Sequence, residues 1–464
     1  MEKLKSVWHN NNYPQYKKLD HDIDVNTVII GGGLSGISAA YYLSRHGINT
    51  AVIEANKIGS GTTKNTTAHI TSQHDMTYDR YTRQFGQVKA SIIAKANQEA
   101  IDEIENIIKT ENIDCNFERV DSYLFTQRPE NCIKLRQEFK AAQNTPIKAF
   151  LTTQTGLIPL EYELALGFEN QAVFHPMKYL HGLAQAATNH KVKIYEDTRV
   201  IDVQNNYCIT EDGHKITAQN FVIATNFPIV NFKGLYFARL IQHRSYNGAY
   251  KTSKTLSGMW NNIDNEAYTY RKYEDMVIVS GQSHQCGHDM DTPHYKNLQN
   301  HVNKIFEDSQ VVAKWSAQDS LSPDNLALVG NLTKNEKHLY IMTGFNKWGM
   351  TSTNIAGRII ADLIANKKNP YAEIYSPSRK LAMGPIGKTL RNNIKMVGSL
   401  IGGLNHLNNP ACTHMGCRTK FNPEEQTWDC PCHGSRFDKF GNVINTPAYK
   451  KLDDEKVNPD NSAN

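Results

Sequence analysis

Apolar and polar positions along this chain follow two periods. Thr27-Val28-Ile29-Ile30 is almost continuously apolar, the pattern of a strand covered on both faces, and it runs into the glycine cluster Gly31-Gly32-Gly33. Ala39, Ala40, Tyr42 and Leu43 then mark a helix with an apolar face that stops at Gly47, and Asn49–Glu54 reads as a second strand ending in an acid. From Gln87 to Lys109, Ile92, Ile93, Ala96, Ile101, Ile104, Ile107 and Ile108 recur at the helical period, which predicts a long amphipathic helix packed on this first unit. Phe117–Phe125 reads as a strand entering an antiparallel sheet, to which Glu266–Val279 adds more. Between Tyr371 and His406, Pro377 and Pro385 stand among Gly, Ser, Lys and Asn, so the stretch reads as a linker with one short helix near Lys388–Ile401.

The strand–turn–helix–strand unit carries chemistry. Gly31 permits the tight turn, Gly33 lets backbone approach a pyrophosphate, and Gly36 lets helix and strand pack closely, while the N–H groups around Leu34 and Ser35 open the helix toward phosphate. Glu54 stands at the distance at which an acid accepts hydrogen bonds from the adenosine ribose. A nucleotide-free Rossmann-like unit is the bland alternative. The small-residue, hydroxyl-rich run Ile58–His69, with Gly61, Thr62, Thr67 and Ala68, suits an extended ligand lying against backbone, as FAD does.

This loop resembles the second flavin-contacting loop of the D-amino-acid oxidase / glycine oxidase superfamily. Further matches follow in order: Phe174–Tyr179 opening a helix, Thr198-Arg199-Val200 ending a strand beside adenine, and Phe221-Val-Ile-Ala224-Thr225-Asn226 as a third dinucleotide-side strand and turn. Trp315–Asp319, Pro323–Gly330 and Gly344-Phe345-Asn346-Lys347-Trp348-Gly349-Met350-Thr351 resemble the late flavin-binding stretches, the last preceding a helix whose positive end faces the flavin. The resemblance implies a discontinuous α/β (α+β) FAD-binding Rossmann-type domain with an antiparallel-sheet substrate cap over residues 25–376, after an N-terminal extension of residues 1–24.

A second constellation lies at Cys412-Thr-His414-Met-Gly-Cys417 and Cys430-Pro-Cys432-His433-Gly-Ser435. Cys412 and Cys430 offer thiolates for one iron, and His414 and His433 offer imidazoles for the other, the ligand set of a Rieske 2Fe-2S centre. Two Cys and two His also suit tetrahedral zinc, although the spacing is not that of a zinc finger, which has no use for two extra cysteines. The pattern resembles respiratory-type Rieske proteins, in which the cysteines at the positions of Cys417 and Cys432 form a disulfide. Rieske oxygenases usually lack that pair and need a mononuclear iron domain as well. The resemblance gives Ser435 a hydrogen bond to cluster sulfur and puts Phe437 where respiratory members often carry a tyrosine, which implies a lower potential. It also implies an all-β domain over residues 406–453 after a linker at 377–405. Few residues of strand character precede Cys412, so either the flavin domain buttresses the ligand loops or the cluster is weakly held.

Composition narrows the class only slightly. The 464 residues suffice for two or three domains, and a net charge of +5 is too mild to argue for nucleic acid. No apolar run reaches membrane-spanning length and Met1–Asp24 lacks a signal-peptide core, so a cytoplasmic protein is expected, where a Cys417–Cys432 disulfide is unusual. Cys115, Cys132, Cys208 and Cys286 show no metal spacing. Direct amine oxidation needs a cation for any substrate carboxylate. Lys347 is the first candidate; Arg271, Arg239 and Arg244 are others, with Tyr270 and Tyr268 as hydrogen-bond partners. His69, His175, His243 and His284 are candidate bases or polar core residues. The expectation is a dehydrogenase that oxidises a small amine or amino acid and passes electrons singly through the cluster to an acceptor protein or quinone. An O2-using oxidase with a structural Rieske tail and a redox sensor are the alternatives.

Overall fold

The computed structural model describes residues 4–9, 12–402, 408–453 and 457. Its first layer is an eight-stranded sheet around β1 (Ile23–Ile30) and β2 (Thr50–Ile53), which are joined by helix α1 (Leu34–Arg45). β1 pairs in parallel with β2 and with Lys215–Ile223; parallel pairing continues to Lys193–Tyr195 beyond β2 and to Leu339–Thr343 beyond Lys215–Ile223. A parallel sheet needs cover on both faces, and Val28, Ile29 and Ile30 are accordingly buried. The layer is discontinuous: β1 and β2, Lys193–Ile223 and Leu328–Thr343 reach it from separate stretches of chain.

The second layer is a nine-stranded sheet whose main path runs Gln310–Leu321, Ile241–Lys251, Met276–Gln285, Thr269–Tyr273, Met259–Asn262, Glu118–Thr126, Leu164–Val173, His69–Ile70. The predicted strands Phe117–Phe125 and Glu266–Val279 correspond to Glu118–Thr126 and to a hairpin turning at Glu274. Pairing is antiparallel except between Met259–Asn262 and Glu118–Thr126, which are parallel. No hairpin joins those two strands, so no tight turn dictates their direction. The long amphipathic helix spans Gln87–Thr110 and buries Ile93, Ile101, Ile104 and Ile107.

Three local expectations change. Thr198 and Arg199 follow the strand Lys193–Tyr195, and Val200 opens the next strand. The N-terminal segment is part of the core: Trp8 is buried and donates Nε1–H to Thr66 O at 2.7 Å, bracing the hydroxyl-rich loop. The linker helix is longer than predicted, Met383–Gly402, because Pro385 falls in its first turn, where a missing N–H removes no helical bond.

The C-terminal strands Lys420–Asn422, Thr427–Asp429, Arg436–Asp438 and Val443–Asn445 form an antiparallel meander. Trp428, Phe437, Ala448 and Leu452 make its small core together with Cys412, Cys417 and Cys430. The expected boundary between linker and cluster domain, at residues 405 and 406, lies outside the described residues.

Candidate functional site

A cavity of about 380 Å³ runs between the two large sheets. It is lined by Gly31, Gly33, Leu34, Ser35, Glu54 and Val200, by Gly61, Thr62, Thr67, Ala224 and Thr225, and by Lys347, Trp348, Gly349 and Met350. Gly31 sits at φ +111°, and a Cβ there would lie 2.6 Å from Ala224 O. No side chain caps α1 and no acid stands in its first turn, so its N-terminal N–H groups and positive dipole point toward the cavity. Leu34 N is steadied by Thr63 Oγ1 at 3.1 Å. Glu54 is placed by β2; its Oε2 accepts from Gly32 N at 2.7 Å and its Oε1 from Asn56 N at 2.9 Å. Each oxygen keeps capacity for another donor. The helix Gly349–Ile364 likewise starts without a side-chain cap or an acidic first turn, and its first residues line the cavity. A glycine cradle and two uncapped helix N-termini that open on one cavity fit a dinucleotide such as FAD.

Beside Lys347 the cavity becomes polar. Asp75, Asp319, Ser245 and Ser283 line it there, none of which stood out in the sequence as a site residue. Lys347 Nζ donates to Ser245 Oγ at 3.1 Å and to Ser283 Oγ. Burial pushes the Asp319 carboxyl up to about 6 against the attraction of Lys347, and burial lowers Lys347 against the attraction of Asp319 and Asp75. His69 also lines the cavity; burial, then Arg271, push it down to about 3, so it is neutral at physiological pH.

Other candidates sit elsewhere. Arg271 is buried and donates to Thr67 O at 3.0 Å and Ala68 O at 2.8 Å, so its guanidinium orders the cofactor loop from behind instead of entering the cavity. Tyr270 is sealed in an aromatic core with its hydroxyl 2.6 Å from His301 Nε2, and Tyr268 stacks on that ring. Arg239 donates to Pro377 O at 2.6 Å. His175 caps the helix Pro176–Asn189, and His284 stacks on His294. Gly36, Ala68, Gly330, Gly344 and Thr351 do not line the cavity, and neither does His243. Gly36 packs α1 on the Gly31 turn, and Thr351 bonds Thr71 O at 3.1 Å.

The second centre is compact. Cys412 and Cys430 are buried free thiols, and the His414 and His433 rings lie 4.9 Å apart. His414 Nδ1 and both ring nitrogens of His433 are buried without a hydrogen-bond partner, an arrangement that suits metal ligation. Cys417 and Cys432 form a disulfide, and their sulfurs lie within 4.8 Å of Cys430 Sγ, against the ligand loops. The four donors and the disulfide fit a Rieske cluster better than zinc, which leaves the extra pair unexplained. Phe437 is fully buried and brings no hydroxyl to the ligands. Phe437→Tyr is expected to raise the midpoint potential measured by redox titration.

The short base is offset by the flavin domain. Arg244, fully buried on the strand Ile241–Lys251, donates Nη1–H to Asp429 Oδ2 at 2.5 Å and to Glu425 Oε2 at 3.0 Å. It is an interdomain clamp, so it is not available as a substrate anchor. Arg436 Nη2 lies 2.8 Å from Glu425 Oε2, and Gln318 Nε2 donates to Gly434 O at 2.7 Å. Gly287, at φ +75°, lets backbone meet Pro431 where any Cβ would collide. The imidazoles face Phe227, Phe232 and Phe237 of the flavin domain, with ring centroids 6.0 to 6.3 Å apart. Val443–Thr446 and Tyr449 of the cluster domain complete one wall of the cofactor cavity.

Comparison with known proteins agrees with this geometry. The family profile "FAD dependent oxidoreductase" matches residues 26–363, and "Rieske [2Fe-2S] domain" matches 402–456. The chain is 34% identical to the putative Rieske 2Fe-2S iron-sulfur protein YhfW of Bacillus subtilis, over 95% of each chain. It is 21% identical to the gamma-glutamylputrescine oxidoreductase of Escherichia coli, over 84% of this chain and 94% of that one. Among solved structures, glycine oxidase from Geobacillus kaustophilus superposes with a TM-score of 0.66 at 16% identity, covering 77% of this chain and all of the other. The chain therefore belongs to the FAD-dependent oxidoreductase family and carries a Rieske domain, so that it binds both FAD and a 2Fe-2S cluster.

Proposed function

We propose that this protein is a dehydrogenase that oxidises a small amine or amino acid and passes the electrons one at a time through its Rieske centre to an external acceptor. Bound FAD supplies a two-electron hydride acceptor, and the 2Fe-2S cluster supplies a one-electron relay. The observation that carries the reading is the shared wall: the cluster domain is clamped to the flavin domain by buried charge, and its last strand borders the cofactor cavity. In this reading Gly31, Gly33, Leu34 and Ser35 hold the pyrophosphate, Glu54 the ribose, and Thr62, Thr67, Ala224 and Thr225 the extended middle. Lys347, Gly349 and Met350 stand at the reacting end.

The polar group at that end fits both halves of an amino acid. Asp75 and Asp319 attract a substrate ammonium, and Lys347 attracts a carboxylate. The amine has to lose its proton before its C–H bond can break as hydride, and ionised Asp319 is placed to take that proton. With Asp319 held up to about 6, the rate of anaerobic bleaching of the flavin band is expected to rise with pH through about 6. Asp319→Asn should abolish that limb. Lys347→Met removes an attraction that favours the ionised form, so it should move the limb to higher pH and raise KM more for amino acids than for simple amines. An unchanged pH profile in both variants would remove these two residues from the proposal.

The electron route is tested by single turnover. Substrate should bleach the flavin band and then produce the reduced-cluster electron paramagnetic resonance signal within one turnover. In His433→Ala the bleaching should persist without that signal. Stoichiometric peroxide release with an unreduced cluster would select an oxidase instead.

A further inference from the structure

The helix Met383–Gly402 exposes a stripe of apolar side chains: Ile386, Leu390, Ile394, Val397 and Leu400 are 47 to 64% exposed. Their spacing of four, four, three and three residues keeps them on one side of the helix. The side that carries buried Pro385 packs inward, with Cys432 Sγ 4.0 Å from Met396 O, and at the edge of the stripe Asn393, in line with Ile386 and Leu400, donates Nδ2–H to Ala238 O of the flavin domain at 2.9 Å. Gly384, Gly387 and Gly398 are poor helix formers with open space around them, so intrinsic propensity does little to hold this helix. Next to it, Phe232 packs on Phe237 yet stays 59% exposed, with its ring 6.1 Å from that of the cluster ligand His414. Leu235 and Met415 are exposed as well.

We propose that this helix is a peripheral membrane-docking element that lays its apolar stripe into an anionic phospholipid surface. Charge selects that occupant. Residues 383–402 contain no Asp or Glu, and exposed Arg391 and Lys395, four residues apart, form a basic face that begins at the flank of the apolar stripe with Arg391. Basic residues flanking an exposed apolar face are what an interfacial helix presents to anionic lipid. A second copy of the chain fits less well, because an antiparallel twofold contact along the stripe keeps Arg391 and Lys395 of both copies on the same side, with no acid on the helix to pair them. Among the described residues no helix is long and apolar enough to cross a membrane, so the helix lies on the surface. The proposal rests on the electron-transfer reading in one respect. It puts the His414 edge of the cluster domain near the lipid, where a membrane quinone takes two single electrons and two protons to become a quinol.

The test is flotation of the holoprotein with phosphatidylcholine vesicles, with and without phosphatidylglycerol. Binding is expected only with the anionic lipid, weakening as salt rises. Leu390→Asp/Ile394→Asp should weaken it more than about ten-fold, and Arg391→Gln/Lys395→Gln by about five-fold for each charge removed. Both variants should keep the flavin absorbance, the cluster signal and substrate-driven reduction of soluble ferricyanide. Failure of the wild-type holoprotein to float with anionic vesicles overturns the proposal. So does a dimer in sedimentation that Leu390→Asp/Ile394→Asp dissociates, or equal flotation of all three proteins. A cluster that substrate never reduces would instead defeat the electron-transfer reading and leave the flotation result to decide docking alone.

Discussion

Arg244→Met is expected to uncouple the two redox centres without altering a ligand of either. Arg244 is fully buried and touches both Asp429 and Glu425 across the domain boundary, so methionine removes one side of a buried charge cluster and leaves the other. Breaking such a pair costs about 3–5 kcal/mol, because the remaining charge is uncompensated. Arg436 still reaches Glu425 at 2.8 Å, which puts the expected cost near the lower figure. Substrate should bleach the flavin band at the wild-type rate while cluster reduction slows more than about ten-fold, since 1.4 kcal/mol already shifts an equilibrium ten-fold. Neutralising the partners in the same protein, Arg244→Met/Glu425→Gln/Asp429→Asn, should recover part of the loss. Wild-type cluster reduction in Arg244→Met would mean that the clamp does not set the docked geometry.

The same cluster fixes the acid response. Burial opposes ionisation of Glu425, but Arg436 and Arg244 outweigh it and hold its pKa down to about 2. A carboxyl whose folded value lies below its ordinary 4.5 contributes its stabilisation fully above pH 4.5 and loses it as pH falls toward 2. Docking should therefore be insensitive to pH above about 5 and weaken in that acid window.

Local signals carried most of what the sequence disclosed. The two Cys–His loops that the fold brings together were legible because each carries its Cys and His within two or three residues of one another, and the second pair of cysteines marked the disulfide. The β1–α1–β2 unit was legible because strand, glycine turn, helix and acid are contiguous. Arg244 looked like a substrate anchor from its rough position in the expected cap; its partner Asp429 stands 185 residues away, and no periodicity links them. Arg271 misled for a similar reason, since its acceptors are the backbone carbonyls of Thr67 and Ala68, which no side-chain pattern encodes. Asp75 sits in a left-handed turn at φ 57° after the strand His69–Ile70, and only the folding of that turn over the cavity makes it a cleft residue. Asp319 lay inside a recognised stretch, yet a strand's side chains alternate faces, and the sequence alone did not say which face met the cavity.

The glycine turn supports the second large effect, through two substitutions with different causes. Gly31→Val places a β-branched residue at φ +111° and drives its Cβ to 2.6 Å from the backbone oxygen of Ala224, just past the end of the neighbouring strand Lys215–Ile223. Strain of that kind costs about 1–3 kcal/mol before the collision is counted, and backbone cannot move aside as a side chain can. The purified protein should lack the flavin absorbance, and its melting temperature should no longer respond to added FAD, whereas saturation at about 100 times Kd stabilises a competent protein by about 2.7 kcal/mol. The Rieske signal should survive, because the two Cys–His loops belong to the separate C-terminal meander. Gly33 provides the contrast. A Cβ there meets nothing nearer than Thr63 Oγ1 at 3.5 Å, so Gly33→Ala should fold normally without FAD. Any loss of FAD affinity in that variant therefore reports the approach of the pyrophosphate itself. If Gly33→Ala binds FAD as tightly as wild type, the phosphates do not lie against this turn, and the orientation proposed for the whole cofactor has to be reversed or abandoned.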